Sequence, residues 1–411
     1  MRPRPKFSTG WCRLIGGIVL LLAASLPAAG WRTTETSARS LNGIDVLVKN
    51  RFAPLRGKRL GLITNHTGQD RDRNPTIDLL HQAPGVTLVT LFSPEHGIRG
   101  LADEKVADGR DEKTGLPIRS LYGDTRKPTA GQLRDLDALV FDIQDIGCRF
   151  YTYPSTLGLA LEAAAENGKA VFVLDRVNPI NGSQIEGPVL AEKPTFVGFY
   201  EVPLRHGMTV GELALMYNAE KKLNADLTVI RVENWRRNQW FDETGLPWTN
   251  PSPNMRNLTE AILYPGVGLL ESALSVGRGT DSPFEVVGAP YIDDLKFAEE
   301  LNRAQLPGVR FVPVRFTPTA SIHKGEACGG VHILLTDRNA CNVVDIGLLI
   351  AKTLCREHPQ QFKVDKLGRL LLHLETLTAI KADKSLRDIK ASWKPERRDF
   401  ERRRAKYLLY Q

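Results

Sequence analysis

From residue 59 onward the chain alternates short apolar runs with segments of helical periodicity, and that alternation decides the fold class. The runs Arg59 to Thr64, Val86 to Phe92, Ala138 to Ile143 and Ala170 to Leu174 are rich in Val, Ile, Leu and Phe and too short for helices, so they read as strands. Between them Pro75 to Gln82, Ala130 to Leu136 and Ser155 to Asn167 read as helices, the last closed by Gly168. Strands of this kind belong to a mostly parallel sheet covered on both faces, an α/β fold that is Rossmann-like in outline. A helix at Thr209 to Leu223 and a strand at Leu227 to Val232 end that domain, expected over residues 41–255. The Gly- and Pro-rich stretch from Asn250 to Pro290 reads as irregular. Beyond it a helix (Asp294 to Ala304), strands (Arg310 to Phe316, Val331 to Thr336) and a long helix (Val343 to Glu357) predict a smaller α+β domain over residues 256–411.

At 411 residues the chain is long enough for two such cores, so small disulfide-stapled scaffolds are excluded. Residues 1–30 read as a signal peptide, with Arg2, Arg4, Lys6 and Arg13 ahead of the apolar run Leu14 to Leu26 and the small residues Ala28, Ala29 and Gly30 at the cleavage point. The run is short for a membrane span, so the expected location is periplasmic or secreted, with no stable span after cleavage. Without that segment 51 basic residues face 47 acidic ones, a net charge of +4, which implies no nucleic-acid partner. The remaining excess lies near the end, at Arg397, Arg398, Arg402, Arg403, Arg404 and Lys406, and reads as a solvated helix face. Cys148, Cys328, Cys341 and Cys355 fit no zinc spacing and carry no expected catalytic role; an oxidising compartment permits disulfides among them, and isolated buried thiols fit equally well.

Ligands of open parallel sheets bind beyond the carboxyl ends of the strands, where four polar clusters stand: Thr64 to Gly68, Ser93 to Gly100, Asp142 to Gly147 and Asp175 to Pro179. Neither G-x-G-x-x-G nor G-x-x-x-x-G-K-[ST] occurs, so the devices that cradle nucleotide phosphates are missing, and there is no G-x-S-x-G elbow. Carboxylates, amides and arginines on such a rim suit a hydroxyl-rich substrate, with Tyr151, Tyr153 and Trp248 available to cover sugar rings. The competing structural reading has Asp142 and Asp175 capping helices. Glycoside cleavage needs a proton donor and a second group for water or the oxocarbenium charge. Glu95, just past a buried strand, is the donor by placement; Asp142, Asp145, Asp175 and Glu186 compete for the second role. His66, His96 and His206 show no metal-binding spacing, so neither a metal nor another cofactor is expected.

Several runs then resemble a known family: GLITNHTG from Gly61, LFSPEHGIRG from Leu91, VFDIQDIGCRFYTYPSTLG from Val140, LDRVNPINGSQIEGP from Leu174, PLRHGMTVGELA from Pro203, PSPNMRN from Pro251 and LSVGRGTDSPFEVVGAP from Leu274. They look like the NamZ-type exo-β-N-acetylmuramidases, formerly a domain of unknown function, and the likeness runs from about Leu41 to the end. The resemblance implies a glycoside hydrolase that frees terminal N-acetylmuramic acid (MurNAc) from non-reducing ends of peptidoglycan fragments such as MurNAc-GlcNAc, in a cleft between a Rossmann-like domain and a smaller one. The family's proposed catalytic glutamate, in S-P-E-H-G, maps to Glu95, with His96 beside it; Asp145 and Asp175 complete the expected catalytic set. By motif position Asn65, His66, Arg99, Arg149, Tyr151, Arg176, Asn178, His206, Asn254, Arg278 and Asp281 are expected to bind substrate. An arginine suits the lactyl carboxylate of MurNAc, with Arg278 first, then Arg176 and Arg149. Ser272-Ala273 departs from the glycine and small hydroxyl residue expected after Glu271, which bears on fine specificity. The alternatives are a glycan-binding protein without catalysis and a metal-dependent amidase or deacetylase.

Overall fold

The computed structural model describes residues 39–95, 97–98, 108–123 and 125–411; the segment read as a signal peptide, His96 and Arg99 lie outside them. In chain order the strands of the first part are β1 (Arg59–Thr64), β2 (Thr87–Ser93), β3 (Gly109–Arg110), β4 (Pro117–Ser120), β5 (Ala138–Asp142), β6 (Ala170–Leu174), β7 (Glu186–Val189), β8 (Pro203–Arg205) and β9 (Leu227–Ile230). All but β7 and β8, which pair with each other, join one sheet in the order β3-β4-β2-β1-β5-β6-β9, parallel except for β3 against β4.

Both faces of this sheet are apolar, as a period of two in uninterrupted hydrophobic strands requires. Leu60, Leu62, Val140, Phe172 and Leu174 pack to one side with Ile44, Leu47, Ile77 and Leu80 from the helices Gly43–Lys49 and Thr76–His81. Ile63, Phe92, Leu139, Phe141, Val171 and Val173 face the other side, against the helices Tyr153–Glu166 and Val210–Glu220. That second core runs on without a break into the rest of the chain, reaching Leu269, Val331, Ile346, Trp393 and Phe400.

The second part holds the antiparallel strands β10 (Val286–Ala289), β11 (Val309–Phe316) and β12 (Cys328–Leu335), in the order β10-β12-β11, with the helices Asp294–Arg303 and Val343–Glu357. The stretch read as irregular contains a helix, Leu258–Val267, and strand β10. Gly266 breaks the sequence pattern for a packing reason: a methyl there would stand 1.8 Å from the Val343 carbonyl oxygen, and one on Gly347 would stand 2.2 Å from that of Gly266. Two helix backbones touch at this crossing, and only glycine permits that.

Of the carboxyl-terminal basic residues read as a solvated face, Arg398, Arg402 and Lys406 are exposed, whereas Arg397, Arg403 and Arg404 turn inward. In the helix Lys394–Arg404, Phe400 is fully buried and only one face is solvated. Arg397 donates to the Ile185 carbonyl at 2.8 Å, Arg403 pairs with Glu220 at 2.8 Å, and Arg404 donates to the Gly207 carbonyl at 3.0 Å. The last residues lie against the first part of the chain, where Leu409 N–H donates to Glu212 and Tyr410 to Asp175. Cys148, Cys328, Cys341 and Cys355 are free thiols. Among the described residues no helix is long and apolar enough to cross a membrane.

Candidate active site

Strand β2 ends in the fully buried Leu91, Phe92 and Ser93, and Pro94 turns the chain so that Glu95 emerges half-buried at the carboxyl edge of the sheet. Gly97 follows with φ +75°, in the left-handed region that glycine adopts at no steric cost. The Glu95 carboxylate accepts hydrogen bonds from the Tyr122 hydroxyl, beyond β4, at 2.9 Å and from the Thr152 hydroxyl, before the helix Tyr153–Glu166, at 3.2 Å. It opens into a cavity of about 360 Å³, at the small end of small-molecule sites. Phe150, Tyr151, Tyr153, Tyr264 and Phe284 supply aromatic wall, with Tyr151 edge-on to Tyr153 and Tyr264 at centroid distances of 5.0 and 5.9 Å. Ser252 and Asn254 add neutral polar groups, and Glu271, Arg278 and Arg369 add charge. Glu271 and Arg278 pair at 2.8 Å, and the Arg278 guanidinium also lies 5.1 Å from the centre of the Phe284 ring.

The cavity gathers Glu95, Tyr151, Asn254 and Arg278 from the expected residues, and other expected residues hold the scaffold instead. Arg176 is spent on Asp142, through Nε to Oδ1 at 2.6 Å and Nη2 to Oδ2 at 3.0 Å, and on the Gln69 carbonyl. Asp175 accepts from Thr209, from the Gly211 N–H at the start of a helix and from Tyr410, so it caps; burial pushes its carboxyl up to about 6. Asn178 bridges the Met208 carbonyl and the Ile180 N–H, and Glu186 pairs with the buried Arg205 at 2.5 Å. Asn65 accepts from Thr67, and His66 meets the Asn250 carbonyl at 2.6 Å. Asp281 is exposed, 3.8 Å from Arg256. Trp248 lines a separate small depression with Arg176 and Gln69, so of the aromatic residues expected to cover rings, Tyr151 and Tyr153 reach the cavity. Arg149 is buried, with its guanidinium held by four backbone carbonyls.

Asp145 and His206 form a buried pair that carries no salt bridge. Burial drives the Asp145 carboxyl up to about 7, against the pull of the Gly147 and Ile146 N–H groups, and drives His206 down to about 3, helped by the charges of Arg404, Arg149 and Arg205. His206 is therefore neutral; its Nδ1 accepts the Met208 N–H at 3.2 Å, leaving the proton on Nε2, 3.7 Å from Asp145. Because the folded Asp145 holds its proton more tightly than the unfolded one, its contribution is full below about 4 and is lost as pH rises to about 7. Asp145→Asn is expected to stabilise the protein at pH 8 relative to pH 5 by roughly 2–3 kcal/mol compared with wild type, read from denaturant unfolding at both pH values. An equal effect at the two pH values would contradict a buried carboxyl that ionises near neutrality.

The family's models match this chain over residues 60–259 (exo-β-N-acetylmuramidase NamZ, N-terminal) and 262–410 (the same, C-terminal). The peptidoglycan β-N-acetylmuramidase NamZ of Bacillus subtilis is 43% identical over 397 residues, spanning 95% of this chain and 96% of that protein. The chain belongs to the NamZ exo-β-N-acetylmuramidase family. It is a glycoside hydrolase. Crystal structures of two DUF1343 family proteins from Bacteroides fragilis match the fold, with TM-scores of 0.85 and 0.76 at 40% and 32% identity, each covering 91% of this chain and 99% of theirs.

Of the NamZ motif residues, His96 and Arg99 lie outside the described positions. Tyr122, Thr152, Tyr264, Glu271, Phe284 and Arg369 belong to the site and were missed as site residues. Glu271 had a signal, since it stands directly before Ser272-Ala273, where the sequence departs from the family resemblance. Tyr122 and Arg369 sit in segments without any pattern. Among the described residues no group of three or more His, Cys, Asp or Glu side chains is arranged to hold a metal ion.

Proposed function

We propose that this chain is an exported exo-β-N-acetylmuramidase that releases terminal MurNAc from the non-reducing ends of peptidoglycan fragments, with Glu95 as general acid. The observation that carries the reading is the Glu95 carboxyl, held by two hydroxyls on the wall of an aromatic cavity that also contains a second carboxylate, Glu271. Glu95 delivers its proton to the oxygen that joins MurNAc to the next sugar, and the bond to the anomeric carbon breaks as positive charge grows on the ring. The oxygen of a water molecule ends bonded to that carbon, and the proton water gives up replaces the one that left with the leaving sugar. Glu271 takes the second role, the one sought in the sequence among Asp142, Asp145, Asp175 and Glu186, because it lies on the cavity wall with Glu95 and those four do not. A cavity of this size supports removal of one terminal sugar at a time, with residues 41–255 and 256–411 as the two lobes that wall it. Arg2, Arg4, Lys6 and Arg13 with the apolar run after them support export.

The test is to give the purified protein MurNAc-GlcNAc and GlcNAc-MurNAc separately. Cleavage of only the first is expected. Cleavage of only the second would make the protein a glucosaminidase, and saturable binding without any released sugar would make it a glycan-binding protein.

A further inference from the structure

A pocket for an acidic sugar needs an uncommitted cation, and the cavity wall narrows the choice. Arg149 and Arg176 lie outside it with their guanidinium groups spent on carbonyls and on Asp142. Arg278 is on the wall, but Glu271 already occupies it and Phe284 stacks beneath it, and a second carboxylate placed there would face Glu271. Arg369 lines the same cavity, is exposed, and its side chain makes no hydrogen bond or ion pair with another described residue.

The backbone under Arg369 is fixed even though its side chain is uncommitted. It sits on the short helix Gly368–Leu371, whose Leu370 and Leu371 carbonyls are gripped by the buried Arg149, and Leu372 ends the helix in a left-handed conformation at φ 45°. Arg369 also borders a wider depression of about 670 Å³ that shares Glu271 and Arg278 with the cavity and adds Lys366, Ser272 and Ser321. Asp365, the other acid there, is taken by Lys381. Positive charge is therefore left over where the cavity opens, on a rooted guanidinium whose planar fork matches a carboxylate.

We propose that Arg369 is the carboxylate-binding residue of this site and selects amino sugars that carry an acidic ether substituent over their neutral counterparts. The proposal rests on the exo-muramidase reading, and MurNAc then presents its lactyl carboxylate to Arg369 while Glu95 faces the scissile oxygen. Nothing in the chemistry of bond cleavage needs Arg369, so its loss acts through binding.

The experiment compares an aryl β-MurNAc with its lactyl methyl ester on wild type, Arg369→Ala and Arg369→Lys. Esterification is expected to lower wild-type kcat/KM by about 10- to 100-fold, mainly through KM. Arg369→Ala should lose a similar factor on the acid and almost nothing further on the ester, while Arg369→Lys keeps part of the preference because it retains charge without the fork. Equal losses on acid and ester, or wild-type behaviour of Arg369→Ala on the acid, would overturn the assignment while leaving the exo-muramidase reading intact. A wild-type protein inactive on the acid would instead overturn that reading, and this assignment with it. Unchanged thermal midpoints, expected for an exposed side chain without partners, show that the variants are folded.

Discussion

Glu95→Gln is expected to lower kcat on an aryl β-MurNAc by about 10³-fold, while its affinity for unhydrolysed MurNAc ligands stays within about twofold of wild type. The amide has the shape of the carboxyl and keeps an oxygen to accept from Tyr122 or Thr152, and the other hydroxyl can rotate to accept from the new NH₂. The pocket therefore survives, and only the ability to hand over a proton is lost. An aryl leaving group with a low pKa needs less protonation, so the loss should deepen on the natural disaccharide. Turnover at the wild-type rate on both substrates would remove Glu95 from the mechanism, whatever the affinity.

The inner strands of the central sheet were legible because they obey a rule that leaves little choice: Leu60, Leu62, Val140 and Phe172 go to one side and Ile63, Leu139, Phe141 and Val173 to the other, so the strand interiors are apolar on both faces, whereas the short edge strands β3 and β4 carry no such run. Such runs fit only a sheet covered twice, and the observed strand ends fall within a residue or two of the expected ones. The stretch around Gly266 was misread because glycine signals two different things. A turn needs its conformational freedom, and a helix crossing needs its missing side chain; the partner that makes it a crossing, Val343 to Gly347, lies some eighty residues away. The carboxyl-terminal helix hid its inward face for a related reason. Arg397, Arg403 and Arg404 point at backbone carbonyls and at Glu220, and no charge pattern reveals a carbonyl.

The site divides along the same line. Glu95 could be found because its position follows from local order alone: a buried strand, a proline, then a carboxylate at the sheet's rim. The other polar clusters at the strand ends share that local order, yet they neutralise one another. Asp142 is saturated by Arg176, and Asp175 by Thr209, Gly211 and Tyr410, contacts between 34 and 235 residues apart in the chain. Which polar group at a rim is spent and which remains available for a ligand is a property of pairing, and pairing is nonlocal. Six of the fifteen residues on the cavity wall, from Tyr264 to Leu370, arrive from the second part of the chain, which no local order in the first part could announce.

Arg149 shows how far such pairing reaches. Arg149→Met is expected to destabilise the fold by about 3–5 kcal/mol, the range for stripping the partner from buried charged or strongly polar groups. Its Nη1 donates to the carbonyls of Pro188 and Val202 at 3.1 and 3.2 Å, and its Nη2 to those of Leu370 and Leu371 at 3.2 and 2.5 Å. Burial lowers its pKa to about 10, so it stays charged at neutral pH, and methionine fills its volume but leaves four carbonyls without this donor. Lysine cannot substitute, since a single ammonium on a flexible stem does not span two pairs of oxygens. Because one pair belongs to the segment that carries Arg369, the folded fraction of Arg149→Met should also bind MurNAc more weakly, whereas Arg369→Ala weakens binding without touching stability. Denaturant unfolding separates the two, and a cost below about 1 kcal/mol for Arg149→Met would mean that these carbonyls find water and that Arg149 clamps nothing.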